Sequence, residues 1–223
     1  SLTGMEQYVQ PATRALAREC RSQIDETGGI PTRNPEELLE VFTLLTWSAT
    51  ALKEAGWTPA ESHQKALRRM APTLRTLRHS DGGLARFHGG GRGLDGRLDH
   101  ALLQSGNRDM NPDGLAMGFA RLSSGRTSII VDAEIPPQGR AAVNAHASTL
   151  AFEMTSGRRA VIVNCGSGDT FGEDWRSAGR ATPSHSSLYI EGQSSARLGR
   201  KLSYGGIIRE GLVEGTTQVP IEM

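Results

Sequence analysis

The residue types best able to do chemistry together are His146, Asn164 and His185, in the second half of the chain. Each stands at or beside a segment that reads as a strand. Two imidazoles and an oxygen donor can complete a metal site, with zinc as its natural occupant. The same three can equally be ordinary polar residues, because the histidines are far apart in sequence and an amide is a poorer ligand than a carboxylate. Arg180, just upstream of His185, can clamp an acidic ligand or form a surface ion pair. Cys165, in Asn164-Cys165-Gly166-Ser167-Gly168, would need a base and a lowered pKa to act as a nucleophile. Neither is visible, so it reads as a small buried thiol at a strand end. His88 opens the run Gly89-Gly90-Gly91-Arg92-Gly93. No Lys-Ser or Lys-Thr pair follows, which argues against a phosphate-binding loop. The run reads as a flexible loop, with His88 either touching a substrate or lying on the surface.

The elements that must position these residues fall into two unlike parts. Met5, Val9, Ala12, Leu16 and Cys20 form a stripe at helical spacing. Thr27-Gly28-Gly29 breaks it. Asn34, Pro35 and Glu37 then supply the cap, first-turn proline and capping-box acid of a second helix, with Leu38, Leu39, Phe42, Leu45, Ala49 and Leu52 on its buried face. Gly56 stops it. Thr58, Pro59 and Glu61 start a third helix, with Ala66, Leu67, Met70, Leu74 and Leu77 as its core face. The spacing predicts an antiparallel helical hairpin. A glycine-rich loop follows over 79–114, with few core candidates.

Beyond it the period becomes that of strands. Leu115–Leu122 is expected to pair with Thr127–Ala133 across Ser123-Ser124-Gly125. Leu150–Met154, Ala160–Asn164, Ser187–Ile190, Gly206–Arg209 and Thr217–Met223 are further strand candidates. The expected class is α+β, with a helical portion over 1–114 and the opening of an antiparallel sandwich over 115–223. A helical hairpin followed by half a sandwich is the organisation expected of a portion of a longer protein.

Composition narrows the function classes. The 223 residues carry a net charge of +1, too little basic excess for a nucleic-acid surface. No apolar run approaches the roughly 20 residues of a membrane-spanning helix, and no secretory leader is visible at the start. Two cysteines exclude a disulfide framework or a cysteine-rich zinc module. Of 25 basic residues only Lys53, Lys65 and Lys201 are lysines; the arginine excess suits carboxylates, sulfates and phosphates, or reflects a nucleotide-composition bias, and the near balance of charge makes any anion site local. Self-association into a homo-oligomer is left open.

The segment Asn144-Ala145-His146-Ala147-Ser148-Thr149-Leu150-Ala151-Phe152-Glu153-Met154 resembles the HxHxDxLSFEL signature of heparinase II/III-type polysaccharide lyases. Val161-Ile162-Val163-Asn164-Cys165-Gly166 looks like that family's LLVDPG strand, and Arg180-Ala181-Thr182-Pro183-Ser184-His185-Ser186 resembles its RSTAAHN strand entry. Order and spacing agree in all three. Gly28-Gly29-Ile30-Pro31-Thr32-Arg33-Asn34-Pro35 and Asp81-Gly82-Gly83-Leu84-Ala85-Arg86-Phe87 look like the proteobacterial branch. The resemblance implies the end of an α/α-toroid followed by the first strands of an antiparallel β-sandwich, with a substrate cleft between them. It also implies β-elimination on a uronic-acid polysaccharide, and a periplasmic location.

Elimination has three needs: a neutralised uronate carboxylate, a base for the C5 proton and an acid for the leaving oxygen. The resemblance makes Asn144 and His88 the catalytic candidates, Arg33, Asn34 and Arg180 the substrate-binding ones, and His146, Asn164 and His185 the ligands of a zinc ion. The expected partner is an anionic polysaccharide or oligosaccharide. Three departures stand out. Asn144 occupies the position of the family's first, catalytic histidine. Asn164 replaces a ligand aspartate, which removes a negative charge from the metal site. No tyrosine stands near Arg33–Glu37, where the family has one. A non-catalytic glycan-binding or scaffold protein on the same fold is the alternative. A third reading is a small metal-dependent β-domain enzyme using His146 and His185.

Overall fold

The computed structural model describes residues 4–110, 114–204 and 207–214, with side chains described up to 196. α1 spans Glu6–Gln23. Its apolar stripe is buried only at the C-terminal end, at Ala17 and Cys20, while Met5 and Tyr8 are exposed. α2 spans Pro35–Glu54, and the Asn34 side chain accepts the backbone N–H groups of Glu36 and Glu37 as its sequence position predicts. α3 spans Glu61–Thr76 and is capped by Ala60 without a side-chain bond, so it starts later than Thr58. Leu38, Leu39 and Phe42 of α2 meet Ala66, Met70 and Leu74 of α3 in one apolar core. Within that core His63 Nε2 bonds Leu45 O at 2.8 Å, tying the two helices together. No helix among the described residues is long and apolar enough to cross a membrane.

The stretch expected as a loose loop is more ordered than its glycines suggest. α4 spans Arg97–Ser105, between Gly96 and Gly106 in the left-handed conformation. Its Leu98, Ala101 and Leu102 are buried at helical spacing, and Leu84, Ala85 and Phe87 join the same core. Seven glycines obscured that short periodic run.

Four strands form an antiparallel sheet in the order β1-β2-β3-β4: Phe119–Ser124, Thr127–Asp132, Phe152–Ser156 and Arg159–Ile162. Ser124 pairs with Thr127, so the β1–β2 turn is Gly125-Arg126, one residue later than expected, with Gly125 at a φ of 55°. A second, two-stranded sheet pairs β5 (Ala196–Tyr204) with β6 (Ile207–Glu214). β6 extends the short Gly206–Arg209 candidate, and β5 was not expected. Ser187–Ile190 is not a strand. Among the described residues, an isolated bridge from Ile190 to Gln193 is what occurs there. The Thr217–Met223 candidate lies outside the described residues. Between β4 and β5 lies α5 (Glu173–Gly179), flanked by 3-10 turns at Asp169–Phe171 and Thr182–Ser184.

The first sheet packs its inner face on the helices, and Phe119, Ile130 and Ala151 share their core. That inner face also carries polar groups. β2 alternates so that Ser128, Ile130 and Asp132 are buried, and β3 adds Glu153 and Thr155. Ser128 and Thr155 satisfy each other across the strands at 2.9 Å. Asp132 and Glu153 are fully buried carboxylates, each reaching into the helical part for its partners.

Candidate active site

Three segments converge above Asp132: the loop at His88, the stretch from a 3-10 turn (Gly139–Asn144) to Ser148, and the loop carrying Arg180 and His185. Arg33 lies beneath them. Its Nη2 meets Asp132 Oδ1 at 2.5 Å, and its other donors reach Met117 O, Ile135 O and Gly118 O. Its guanidinium also sits 4.7 Å from the centre of the Phe119 ring. Ser148 Oγ donates to Asp132 Oδ2 at 2.8 Å. Burial alone would raise the Asp132 carboxyl. The neighbouring His88, Arg33 and Ser148 outweigh it and hold the group below the usual range.

His88 is fully buried. Its Nδ1 accepts the His146 backbone N–H at 3.2 Å, so Nδ1 is the unprotonated nitrogen and Nε2 carries the hydrogen. Nε2 lies 3.3 Å from Asp132 Oδ2, in a geometry too poor for a good hydrogen bond. Burial lowers its pKa, partly opposed by Asp132. Arg33 and His88 both adopt left-handed backbone, at φ 51° and 48°. That conformation costs a non-glycine residue about 1–2 kcal/mol, and here their buried partners hold it.

The decisive geometry belongs to the histidine pair. His185 Nδ1 lies 2.9 Å from Ala181 O, and a carbonyl can only accept. In the neutral ring Nδ1 therefore carries the hydrogen and Nε2 the lone pair. His146 Nδ1 lies 3.0 Å from that Nε2 and must donate to it. The lone pair of His146 is thereby placed on Nε2. Gly89, at φ 85°, packs over this atom: a Cβ built on it would lie 3.2 Å from Asn144 O and 3.8 Å from His146 Nε2. Burial, then the positive charges around it, push the His146 pKa well down. Burial likewise lowers His185.

His146 lines a closed crevice with Gly89, Asn144, Ser167, Asp169, Arg176 and Arg180, packed so tightly that no water-sized space remains between them. Asn144 is exposed, and Arg176 Nη2 donates to its Oδ1 at 3.1 Å. Arg176 also pairs with Asp169 at 2.9 Å. Arg180 is buried, its Nε and Nη2 donating to Ala145 O and Ala142 O. It braces the stretch that carries Asn144 and His146. A larger apolar hollow lies away from this chemistry, between α1, α2 and residues 24–32.

Asn144, His146, His185 and Arg180 are thus brought together, and His88 supports them from below. Arg33 and Asn34 are placed otherwise. Arg33 is a buried counter-ion, and Asn34 caps α2 while donating to His88 O at 3.2 Å. Asn164 is committed at both ends of its amide, Nδ2 to Arg86 O and Oδ1 to Ser186 N. This donor set does not fit zinc. The lone pair of His185 is taken by His146 Nδ1–H, the third donor is a neutral amide already engaged, and Arg176 and Arg180 oppose a cation. Among the described residues no three His, Cys, Asp or Glu side chains converge on a metal position. Cys165 is exposed rather than buried, because the strand ends before it. Partial burial still raises its thiol, which leaves it no thiolate character at neutral pH.

Sequence reasoning gave no role to Asp132, Glu153 or Arg176. Glu153 lies within the quoted signature, and Arg176 stands one helical turn before Arg180. Asp132 had no signal beyond its place on the inward face of β2.

The buried imidazoles predict how stability depends on pH. His63, His88, His146 and His185 are all held below the ordinary imidazole range, mainly by burial. The unfolded chain takes up these protons near pH 6.5 and the folded chain only at lower pH. Stability is therefore full above that range and falls as pH drops through it. The urea midpoint is expected to be lower at about pH 5.5 than at about pH 7.5. Equal midpoints would show that these rings protonate freely in the folded protein.

Known proteins share this architecture. Crystallised heparinase III superposes with a TM-score of 0.69 at 12% identity, over 91% of this chain and 38% of that one. The heparan sulfate lyase HepC from Pedobacter heparinus gives 0.68 at 15%, over 96% of this chain and 38% of that one. The chain therefore has the fold of a toroid end followed by the start of an antiparallel sandwich. FtsZ-localized protein C of Caulobacter vibrioides is 32% identical over 164 residues, which is 72% of this chain and 28% of that protein. The chain spans about a third of the length of these proteins. The family model for the heparinase II/III-like C-terminal domain matches residues 107–219. That match covers half of the sequence, and the chain belongs to the heparinase II/III-like family.

Proposed function

We propose that the protein is a lyase that cleaves a uronic-acid-containing anionic polysaccharide by β-elimination, with His146 Nε2 as the proton acceptor. The observation that carries this is the chain of hydrogen bonds from His146 through His185 to Ala181 O. It leaves a neutral imidazole with its lone pair on the crevice side, the form a general base needs at neutral pH. When His146 takes the C5 proton, its Nδ1–H stays bonded to His185 Nε2, which supports the positive charge. The same imidazolium then returns the proton to the leaving glycosidic oxygen. Asn144 and Arg176 meet the uronate carboxylate as negative charge builds on it. The crevice is closed in this structure, whereas an ordinary ligand pocket offers roughly 300 Å³ or more. Asn144 is exposed at its edge, so the uronate carboxylate docks there, and reaching His146 Nε2 requires the Gly89 and Asp169–Arg176 segments to part.

The test is an assay of the full-length protein against heparan sulfate, hyaluronan, polygalacturonate and alginate, following the near-ultraviolet absorbance of the unsaturated product. A rise on at least one polymer supports the reading.

Two observations favour a second reading, a non-catalytic glycan-binding or scaffold protein. Arg176 is already paired with Asp169, and Asn144 cannot itself act as a base. The Caulobacter relative, moreover, is named for its place with FtsZ and not for a reaction. This reading predicts binding of the same polymers with no unsaturated product.

A further inference from the structure

We infer that Phe171 and Trp175 form a stacking platform for a sugar ring next to the crevice; this rests on the glycan reading above. The two rings are 74% and 65% exposed, although aromatic side chains ordinarily bury most of their area. They meet edge to face, with centroids 6.2 Å apart and planes at 60°. Their neighbours in sequence, Asp169 and Arg176, line the crevice and pair with each other at 2.9 Å. Platform and crevice therefore share one short turn.

That turn is rigidly built. Phe171 N–H bonds Gly168 O at 3.0 Å and Arg176 N–H bonds Gly172 O at 2.9 Å. A Cβ on Gly168 would lie 2.5 Å from the Trp175 carbonyl oxygen, so only glycine lets the turn close on the helix. Two aromatics are thus held in water on a fixed support, and folding of the described residues draws no burial from them.

The occupant that fits is a pyranose ring of the same polymer, one position along from the uronate in the crevice. The axial C–H groups of a sugar carry partial positive charge and meet the negative face of an aromatic ring. Its hydroxyls stay at the edge, in water or within reach of Asp169. The division of labour is chemical: arginines and the amide take the carboxylate, and the aromatics take the apolar face of the next ring.

The experiment is calorimetric titration of the full-length protein with heparan sulfate and hyaluronan oligosaccharides, and with neutral cello-oligosaccharides. The proteins compared are wild type, Trp175→Ala, Phe171→Ala and Trp175→Phe. Removing the indole is expected to weaken binding of the uronate oligosaccharides about 5- to 10-fold, while Trp175→Phe stays within about 3-fold of wild type. Wild-type binding with unchanged affinity in Trp175→Ala and Phe171→Ala overturns the platform and leaves the crevice reading standing. No binding by folded wild type overturns the glycan reading and the platform with it. A lowered unfolding midpoint with unchanged affinity assigns the rings to packing against another part of the protein, and also overturns the platform.

Discussion

Arg33→Ala is expected to lower folding stability by about 3–5 kcal/mol, because it leaves the Asp132 carboxylate buried and uncompensated. Asp132 is wholly inaccessible, and Arg33 supplies its strong charge-assisted contact. The same guanidinium satisfies three backbone carbonyls, of Met117, Gly118 and Ile135, which link the helical part to the connections around the first sheet. A lysine has one compact ammonium and cannot span four acceptors, so Arg33→Lys is expected to recover little of the loss. Urea unfolding monitored by circular dichroism reads both variants. An unchanged midpoint combined with lost glycan binding would return Arg33 to the ligand-contacting role that the sequence suggested.

Glu153→Ala is the second large effect, expected at about 3–5 kcal/mol. The carboxylate accepts His79 Nε2 at 2.8 Å, the Asn164 backbone N–H at 2.9 Å and the Arg86 backbone N–H at 3.2 Å. Arg86 Nη1 adds a charge at 3.5 Å. Alanine leaves these donors buried without an acceptor. Glu153→Gln keeps one carbonyl oxygen and should cost less, about 1–3 kcal/mol. The order Ala worse than Gln in urea midpoint is the expected result. Near-equal midpoints for both variants and wild type would show that the clasp contributes nothing to stability. The same groups explain the local architecture. Glu153 holds the start of the Asn164 loop against the Arg86 segment, and Asn164 completes the join through Arg86 O and Ser186 N.

The helices were legible because their signals are local. Asn34, Pro35 and Glu37 announce a start within four residues, and the cap forms as that pattern requires. The hairpin of β1 and β2 was legible for the same reason, displaced by one residue because Gly125 supplies the positive φ at the first position of the turn. α4 was hidden because nine residues flanked by glycines give too short a period to stand out. Ser187–Ile190 looked like a strand from composition, but among the described residues no neighbouring strand pairs along it.

The site was legible in part for a related reason. His146 and His185 stood out as residue types, yet their pairing depends on Ala181 O, a backbone atom that no sequence motif displays. Arg33 looked like an anion clamp because its chemistry is that of a clamp. Its anion is Asp132, about a hundred residues away and brought close only by the packing of sheet on helices. Asn164 aligned with a ligand position, but its amide closes the Arg86–Ser186 join.

The central claim is that His146 takes the proton in an elimination reaction. The most direct measurement compares full-length wild type with His146→Gln, following near-ultraviolet absorbance on the uronic-acid polymer panel after both proteins are shown to be folded. The account predicts unsaturated product from wild type and a rate lower by about 10²- to 10⁴-fold in His146→Gln, the range general-base catalysis supplies. A flat trace from folded wild type on every polymer, or equal rates for the two proteins, would contradict it.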